Sequence, residues 1–224
     1  MNATALRVLV LASVLTPVSV LAPALGQTGA AAPTTAPTTA TVITKEEIAK
    51  ISATEQSQRT RDENAKVVDI GDGWSMELGI VHRQSTRTPA PPRPANAAAA
   101  EERGPCGRTM ATVPEGGIPG GLTHDSQTEG YYITSGGGTA FIDGYIVNGR
   151  HSTANPDGGP NGPSCGGVAI GAHKIEMRVG DVIIVPAGVV HGWADIPDHV
   201  DYITFRPSHG VMKNGWVNPT IATK

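Results

Sequence analysis

The sequence lacks most of the features that point directly to a class of function. Its 17 Lys and Arg residues stand against 20 Asp and Glu residues, and no basic block occurs. The chain therefore offers no electrostatic footprint for nucleic acid or for an anionic membrane surface. No phosphate-loop lysine follows the triplet at residues 136–138, and no H-E-x-x-H zinc motif is present. Nucleotide binding and zinc-protease chemistry are both unsupported.

The chain has only two cysteines, which limits the cysteine metal sites and disulfides that it can form. Cys106 and Cys165 both lie in loops rich in Gly and Pro, and neither has a Cys-x-x-Cys neighbour of the metal-binding type. They are either two free thiols or one disulfide. An oxidising compartment favours the disulfide, which would hold two long loops together.

The N-terminus has the pattern of a secretory signal peptide. Arg7 precedes an apolar stretch at residues 8–21, and the small-x-small triplet at residues 24–26 follows. We predict a signal peptide over residues 1–26 and an exported protein, either periplasmic or secreted. The alternative is an uncleaved anchor. The apolar stretch is short and contains Pro17, so no stable membrane span is expected after processing.

The rest of the chain divides by composition. Residues 27–43 are rich in Thr, Ala and Pro and predict a disordered linker. Thr44-Lys-Glu-Glu47 fits a helix capping box, so we predict an N-terminal helix over residues 44–65. Residues 66–224 amount to one domain, in which the Pro/Ala-rich residues 86–105 form a mobile insertion.

A two-residue period in the next segment predicts an antiparallel strand with one buried face. The apolar positions are Trp74, Met76, Leu78 and Ile80, and the same face ends in His82. His82 is therefore a candidate for the substrate pocket. The alternative is a histidine at a strand end that bonds to backbone or water.

The most informative run lies near the C-terminus, at residues 180–191. Val182 to Val185 form an apolar β-branched strand, and Pro186 and Gly188 fix a tight turn after it. His191 follows directly. A histidine delivered by such a turn is a candidate ligand.

A second run lies upstream, at residues 116–136. It places His124 five residues before Glu129, and an apolar-aromatic strand and a glycine triplet follow. Many short strands separated by turn signals favour a β-sandwich or β-barrel.

Together the two runs resemble the motifs of the cupin superfamily, G-x5-H-x-H-x4-E-x6-G and G-x5-P-x-G-x2-H-x3-N. The first is matched by Gly116, His124, Glu129 and Gly136, and the second by Gly180, Pro186, Gly188 and His191. The resemblance covers roughly residues 108–207. Leu122 stands where the family has its first histidine, and Asp195 where it usually has asparagine.

The resemblance implies an all-β fold, a single cupin jelly-roll barrel preceded by the N-terminal helix. It also implies that His124, Glu129 and His191 converge on one divalent transition metal: Fe, Mn, Ni, Cu or Zn. The alternative is that the three side chains only form hydrogen bonds inside the barrel. Leu122 either weakens the site or opens one more position for substrate.

Alternation along the strand that starts at Glu129 predicts the pocket wall. Tyr131 and Ile133 share its inward parity, and Trp193 lies two residues beyond His191. We expect these three to line the pocket, with Tyr131 as a candidate proton donor or acceptor. The alternative is that they belong to the core.

Taken with the resemblance, these residues predict an exported metal-dependent enzyme that acts on a small organic substrate. A dioxygenase-type oxidoreductase is the first candidate, because three protein ligands leave open positions. A metal-assisted lyase or isomerase is the second, and a non-catalytic small-molecule or sugar-binding cupin is the alternative. Pairing into a homodimer is a further expectation from the family.

Overall fold

The structure is a computed structural model, and it describes residues 37–54, 56, 58–90, 92, 102–153 and 162–222. The predicted signal peptide, most of the predicted linker and much of the 86–105 insertion lie outside these residues. Within them, no helix has the length and the apolar composition needed to cross a membrane.

The described residues form one short helix and eleven strands. Their bounds are α1 (Lys45–Ser52), β1 (Thr60–Gly71), β2 (Trp74–Gln84), β3 (Glu102–Cys106), β4 (Ile118–His124), β5 (Glu129–Ile142), β6 (Tyr145–Ser152), β7 (Ser164–Ile170), β8 (His173–Arg178), β9 (Val182–Val185), β10 (His191–Asp195) and β11 (His199–His209).

The capping box at the start of α1 is confirmed. The Thr44 hydroxyl accepts from the Glu47 N–H at 3.2 Å, and the Glu47 carboxylate accepts from the Thr44 N–H at 2.8 Å. The predicted extent of the helix, to residue 65, is wrong. The helix ends at Ser52, because residues 60–71 pair along their length with β2 as strand β1.

All strand pairs are antiparallel, which confirms the all-β prediction. One sheet contains β1, β2, β11, the first half of β5, and β9. The other contains the second half of β5 together with β8, β10, β4, β7, β6 and β3. The two sheets share β5 and enclose the barrel interior.

Strand β5 passes from one sheet to the other at the glycine triplet. Gly136 has φ +63°, and a Cβ at that position would lie 2.0 Å from the carbonyl oxygen of His199. Only glycine fits a left-handed residue that the neighbouring backbone approaches so closely. The triplet is thus a bend within one strand, and it carries the strand around the corner of the barrel.

The parity predicted for β2 is wrong. Its alternate residues Ser75, Glu77 and Val81 are buried inside the barrel, so the inner face is partly polar. The apolar positions face outward, where Ile80 packs with Ile51 of α1 and with other residues from both ends of the chain. An outer face that other segments cover has the same sequence pattern as an inner face, and alternation alone does not separate them.

The predicted disulfide is confirmed. Cys106 and Cys165 are bonded, with Cα atoms 6.0 Å apart. The end of the predicted mobile insertion is corrected, because residues 102–106 form strand β3, which pairs with β6. The bridge therefore ties this edge strand to β7.

Candidate metal centre

Two tight segments deliver the histidines of the site. His124 ends β4 and His191 begins β10. The turn before His191 closes with a hydrogen bond from the Val189 N–H to the Pro186 carbonyl at 3.1 Å, and Gly188 adopts φ +81°. The Gly188 N–H donates to the carbonyl oxygen of His124 at 2.7 Å, so the two segments are joined through their backbones.

Three buried side chains converge between these strands. Oε2 of Glu129, the first residue of β5, lies 3.4 Å from Nε2 of His124 and 3.2 Å from Nε2 of His191. The candidate ligand atoms all lie within 4.8 Å of one another. Bonds of about 2.1 Å at right angles to one cation would separate neighbouring ligand atoms by about 3 Å. The two measured distances agree with that spacing.

Hydrogen bonds on the far side of each ring fix the orientation of the two imidazoles. Nδ1 of His124 lies 2.8 Å from the Ser164 hydroxyl, whose proton goes to the Gly162 carbonyl at 2.7 Å, so the imidazole must be the donor. Nδ1 of His191 lies 3.0 Å from the Val189 carbonyl, which only accepts. Nε2 is thus the ring nitrogen that faces Glu129 in both histidines. This is the orientation of metal-binding histidines.

Ser164 is a residue that sequence reasoning missed. Residues 162–166 read Gly-Pro-Ser-Cys-Gly, which matches the G-x-S-x-G spacing of a nucleophile elbow. The elbow needs an exposed serine on a turn between a strand and a helix. Ser164 instead begins strand β7 and is buried. Its hydroxyl orients His124, and nothing in the geometry makes it a nucleophile.

The Glu129 carboxylate is held from two sides. The Arg206 Nε–H donates to Oε1 at 2.7 Å, and the Tyr131 hydroxyl donates to Oε2. Burial opposes ionisation of Glu129, but Arg206, His124 and His191 outweigh it and keep the pKa of this carboxyl well below its usual range. Glu129 therefore stays charged, and Oε2 remains turned toward both histidines.

The residues that converge come from both motifs identified in the sequence. His124 and Glu129 belong to the first, His191 belongs to the second, and antiparallel β-strands bring them together inside the barrel. The all-β fold and the convergence of these residues agree with what the resemblance to cupins implies. The three predicted ligand residues are thus adjacent.

The two departures from the cupin motifs have different surroundings. Leu122 is paired with His191 across β4 and β10, and it lines the cavity beside the three ligand residues. Asp195 points elsewhere, where its carboxylate accepts from the Arg87 guanidinium at 2.7 Å and 3.1 Å. Only the Leu122 departure bears directly on the candidate metal centre.

A cavity of about 230 Å³ opens onto the site. Tyr131 and Trp193 line it, in agreement with the predicted pocket wall. Ile133 has the predicted inward direction, but it packs in the core against Tyr202 and its neighbours and does not reach the cavity. Burial, and then the nearby Glu129 charge, raise the pKa of the Tyr131 phenol well above its usual value. A catalytic role for Tyr131 stays a prediction.

The prediction that His82 belongs to the pocket is wrong. Its ring lies on the outer face of β2, where Nδ1 is 2.5 Å from the Asp201 carboxylate and the ring stacks on His199 at 6.0 Å. It lines a separate surface pocket. The error follows from the reversed parity of β2, which places Arg83 rather than His82 at the cavity.

Comparisons by sequence give no relative for this chain. No family model matches the chain, and no curated protein matches it.

Comparisons by structure find similar chains at low identity. KdgF from Halomonas sp. is 12% identical over 64% of this chain and 89% of its own, with a TM-score of 0.27. Oxalate oxidase, solved with the substrate analogue glycolate, is 12% identical over 72% of this chain and 58% of its own, with a TM-score of 0.33. A cupin protein from Bacteroides fragilis is 17% identical over 66% and 77%, with a TM-score of 0.27. Superpositions this loose say nothing about a substrate, so a function has to be argued from the residues of this chain.

Proposed function

We propose that this cupin is an exported metal-dependent enzyme that acts on a small organic substrate, with oxygen-dependent cleavage as its reaction. One observation carries the proposal. Two imidazoles whose Nδ1 atoms are engaged elsewhere turn Nε2 toward one carboxylate oxygen, inside a barrel where Nε2 of His124 has no hydrogen-bond partner among the described residues. A cation between these three atoms would satisfy the unpartnered nitrogen and the buried carboxylate together.

The donor set suits a divalent transition metal. Two imidazole nitrogens and one carboxylate oxygen are the ligands of choice for Fe, Mn, Ni, Cu or Zn. His124, Glu129 and His191 would hold the metal, and Ser164 and the Val189 carbonyl would orient the two rings. When bound, such an ion supplies Lewis acidity and coordination positions that no protein group fills.

The other cavity residues bear on the type of reaction. Lyase and isomerase chemistry commonly uses a protein group that takes a proton from the substrate. Among the described residues that line the cavity, the Asp62 and Glu129 carboxylates are both bound by Arg206. The Tyr131 phenol is protonated and bound to Glu129. The lack of a free base supports oxygen-dependent cleavage over proton transfer.

Export is part of the proposal. The disulfide between Cys106 and Cys165 supports it, because such bridges persist in oxidising compartments and are rare in the cytosol. The pairing of two copies into a homodimer stays a prediction that size measurement in solution addresses.

Metal analysis of the purified protein tests the proposal. We expect close to one equivalent of a transition metal in wild type, after purification without chelator from the periplasm or the medium. H124A, E129Q and H191A should lose most of it. H173A is the matched control, because the His173 side chain is 60% exposed and does not line the cavity.

The alternative is a non-catalytic binding cupin. Leu122 supports it, because leucine supplies no ligand atom where the family motif has its first histidine. It is supported if wild type holds no metal even after incubation with Fe(II), Mn(II), Ni(II), Cu(II) or Zn(II). Oxygen uptake with candidate substrates then separates the two catalytic readings. Turnover that continues under anaerobic conditions contradicts oxygen-dependent cleavage.

A further inference from the structure

The inner face of β2 delivers an arginine to the cavity. Arg83 lies two residues beyond the buried Val81, so it has the same inward parity. Its Nε–H donates to the Tyr202 hydroxyl at 2.9 Å, and Nη1 donates to the Thr60 hydroxyl at 3.3 Å. The Tyr202 ring packs on Tyr131 with centroids 4.5 Å apart. The packed rings of Tyr202 and Tyr131 thus lie between the guanidinium and the Glu129 carboxylate.

Arg83 makes no direct ion pair with a carboxylate in the part of the chain that the structure describes. Both of its hydrogen bonds go to neutral hydroxyls, and no described carboxylate oxygen lies within 4.0 Å of its guanidinium. A guanidinium largely removed from water is costly unless an anion compensates it. The cavity is the direction from which such an anion can come.

A second arginine adds to the same charge. Arg59 also lines the cavity, and its guanidinium donates to the backbone carbonyls of Ser85 and Thr88 at 2.8 Å and 2.6 Å. By contrast, the cavity carboxylates of Asp62 and Glu129 are both bound by Arg206 from behind the wall. The cavity wall therefore has an excess of positive charge, which a bound divalent cation would increase.

The remaining wall is apolar. Leu122, Phe141, Met177 and Trp193 line it. A cavity of about 230 Å³ lies below the range of about 300–1,000 Å³ that is usual for drug-sized ligands, so the ligand is small. The cavity combines a cationic end with an apolar wall, which suits a small organic acid.

We propose that Arg83 is the specificity-determining residue of this cupin and binds the carboxylate of a small organic acid substrate. The proposal rests on the proposed function, whose substrate class it names. A guanidinium recognises a planar carboxylate through parallel N–H donors. Nη2 of Arg83 makes no hydrogen bond to the described residues, so it is available for such a contact.

Calorimetric titration with matched pairs of probes tests the assignment. The probes are propionate, lactate, benzoate and phenylacetate, each paired with its neutral primary amide. We expect at least one acid to bind wild type about tenfold or more tightly than its amide, because a charge-assisted contact replaces a neutral one. R83Q should lose that preference, and R83K should keep part of it because the charge remains.

Three controls keep the outcome clear. R178Q changes an arginine whose side chain is 88% exposed, and it should bind like wild type. R83Q should keep the wild-type metal content, and its thermal unfolding shows whether it folds. If no acid binds, if acids and amides bind equally, or if folded R83Q binds like wild type, the assignment of Arg83 is overturned.

Metal analysis and acid titration of wild type separate this inference from the proposed function. Arg83-dependent binding of acids by a wild type that takes up no metal supports the inference and contradicts the metal-dependent enzyme. A wild type that holds one equivalent of metal but does not prefer acids over amides supports the proposed function and contradicts the inference.

Discussion

Arg206 donates its Nε–H to Oε1 of Glu129 at 2.7 Å, and both side chains are buried in the barrel. The same guanidinium binds both carboxylate oxygens of Asp62 through Nη2, at 2.9 Å and 2.7 Å. One arginine on β11 thus fixes the carboxylate that begins β5. Because Arg206 occupies Oε1, the other oxygen of Glu129 is left to face His124 and His191. Arg206 is therefore a positioning residue for the candidate metal centre.

Replacing Arg206 should lower both stability and metal affinity. In R206Q the Asp62 and Glu129 carboxylates lose their shared cation, and breaking a buried ion pair from one side costs about 3–5 kcal/mol. Urea denaturation measures the free energy of unfolding, and elemental analysis of the folded protein measures bound metal. R206K should recover part of the stability but less of the metal, because an ammonium does not hold two carboxylates in fixed directions.

The control for this experiment is R178Q, which should stay within about 0.5 kcal/mol of wild type. Equal metal content in folded R206Q and wild type would show that Glu129 does not depend on Arg206 for its orientation.

The second buried carboxylate predicts a pH dependence. Glu77 lies on the inner face of β2, where it accepts from Asn64 at 3.0 Å and from Gln127 at 2.9 Å. Burial raises the pKa of Glu77 to about 8 from its usual 4.5. Between these two values the folded protein holds a proton that the unfolded chain has lost. The free energy of unfolding should therefore fall as pH rises through this range, by at most about 1.4 kcal/mol per pH unit from this group.

The variant E77Q isolates this contribution, because its side chain does not titrate. Urea midpoints of wild type and E77Q between pH 5 and pH 8.5 give the comparison. We expect E77Q to become steadily more stable relative to wild type as pH rises. Parallel curves would show that Glu77 has an ordinary pKa in the folded protein.

The disulfide should contribute strongly to stability. Cys106 and Cys165 are 59 residues apart, and closing a loop of that length restricts the unfolded chain by about 4 kcal/mol in the loop-entropy treatment. The double variant C106S/C165S should lose stability of that order in urea denaturation. Reduction of wild type should give a similar loss, and reduction of the double variant should have no effect. Unfolding curves that reduction leaves unchanged would contradict the prediction.

Part of the fold was accessible from the sequence because the signals are local. The capping box at Thr44 and the strand Val182–Val185 both depend on neighbouring residues, and both agree with the structure. The reversed face of β2 was not accessible. Its apolar residues are covered by α1 and the C-terminal segment, and that packing joins residues far apart in the chain.

Some residues of the candidate site could likewise be predicted from the sequence, and others could not. His124, Glu129 and His191 were found because motif spacing marks them. Ser164 and Arg206, which orient two of these residues, were missed, since they lie 40 and 77 positions away from their partners. No pattern within one strand indicates such contacts, which depend on the register between strands.

The Leu122 position offers a direct test of the metal centre. Leu122 is paired with His191 across β4 and β10, so their Cβ atoms lie about 5 Å apart, within the range of cross-strand neighbours. A histidine at this position would add a third imidazole beside Glu129. If a cation occupies the site, L122H should bind it at least about tenfold more tightly, since even an outer hydrogen-bond partner has that effect on metal affinity.

Competition with a chelator measures the affinity, and Leu122→Ile is the matched control because it keeps the volume without adding a ligand atom. Its metal affinity should equal that of wild type. If L122H and L122I bind metal equally, the side chain at residue 122 does not reach the cation, and the geometry proposed for the centre is wrong. If only L122H holds metal, the wild-type site is too weak to retain a cation, and Leu122 is what separates this domain from a metal-loaded cupin.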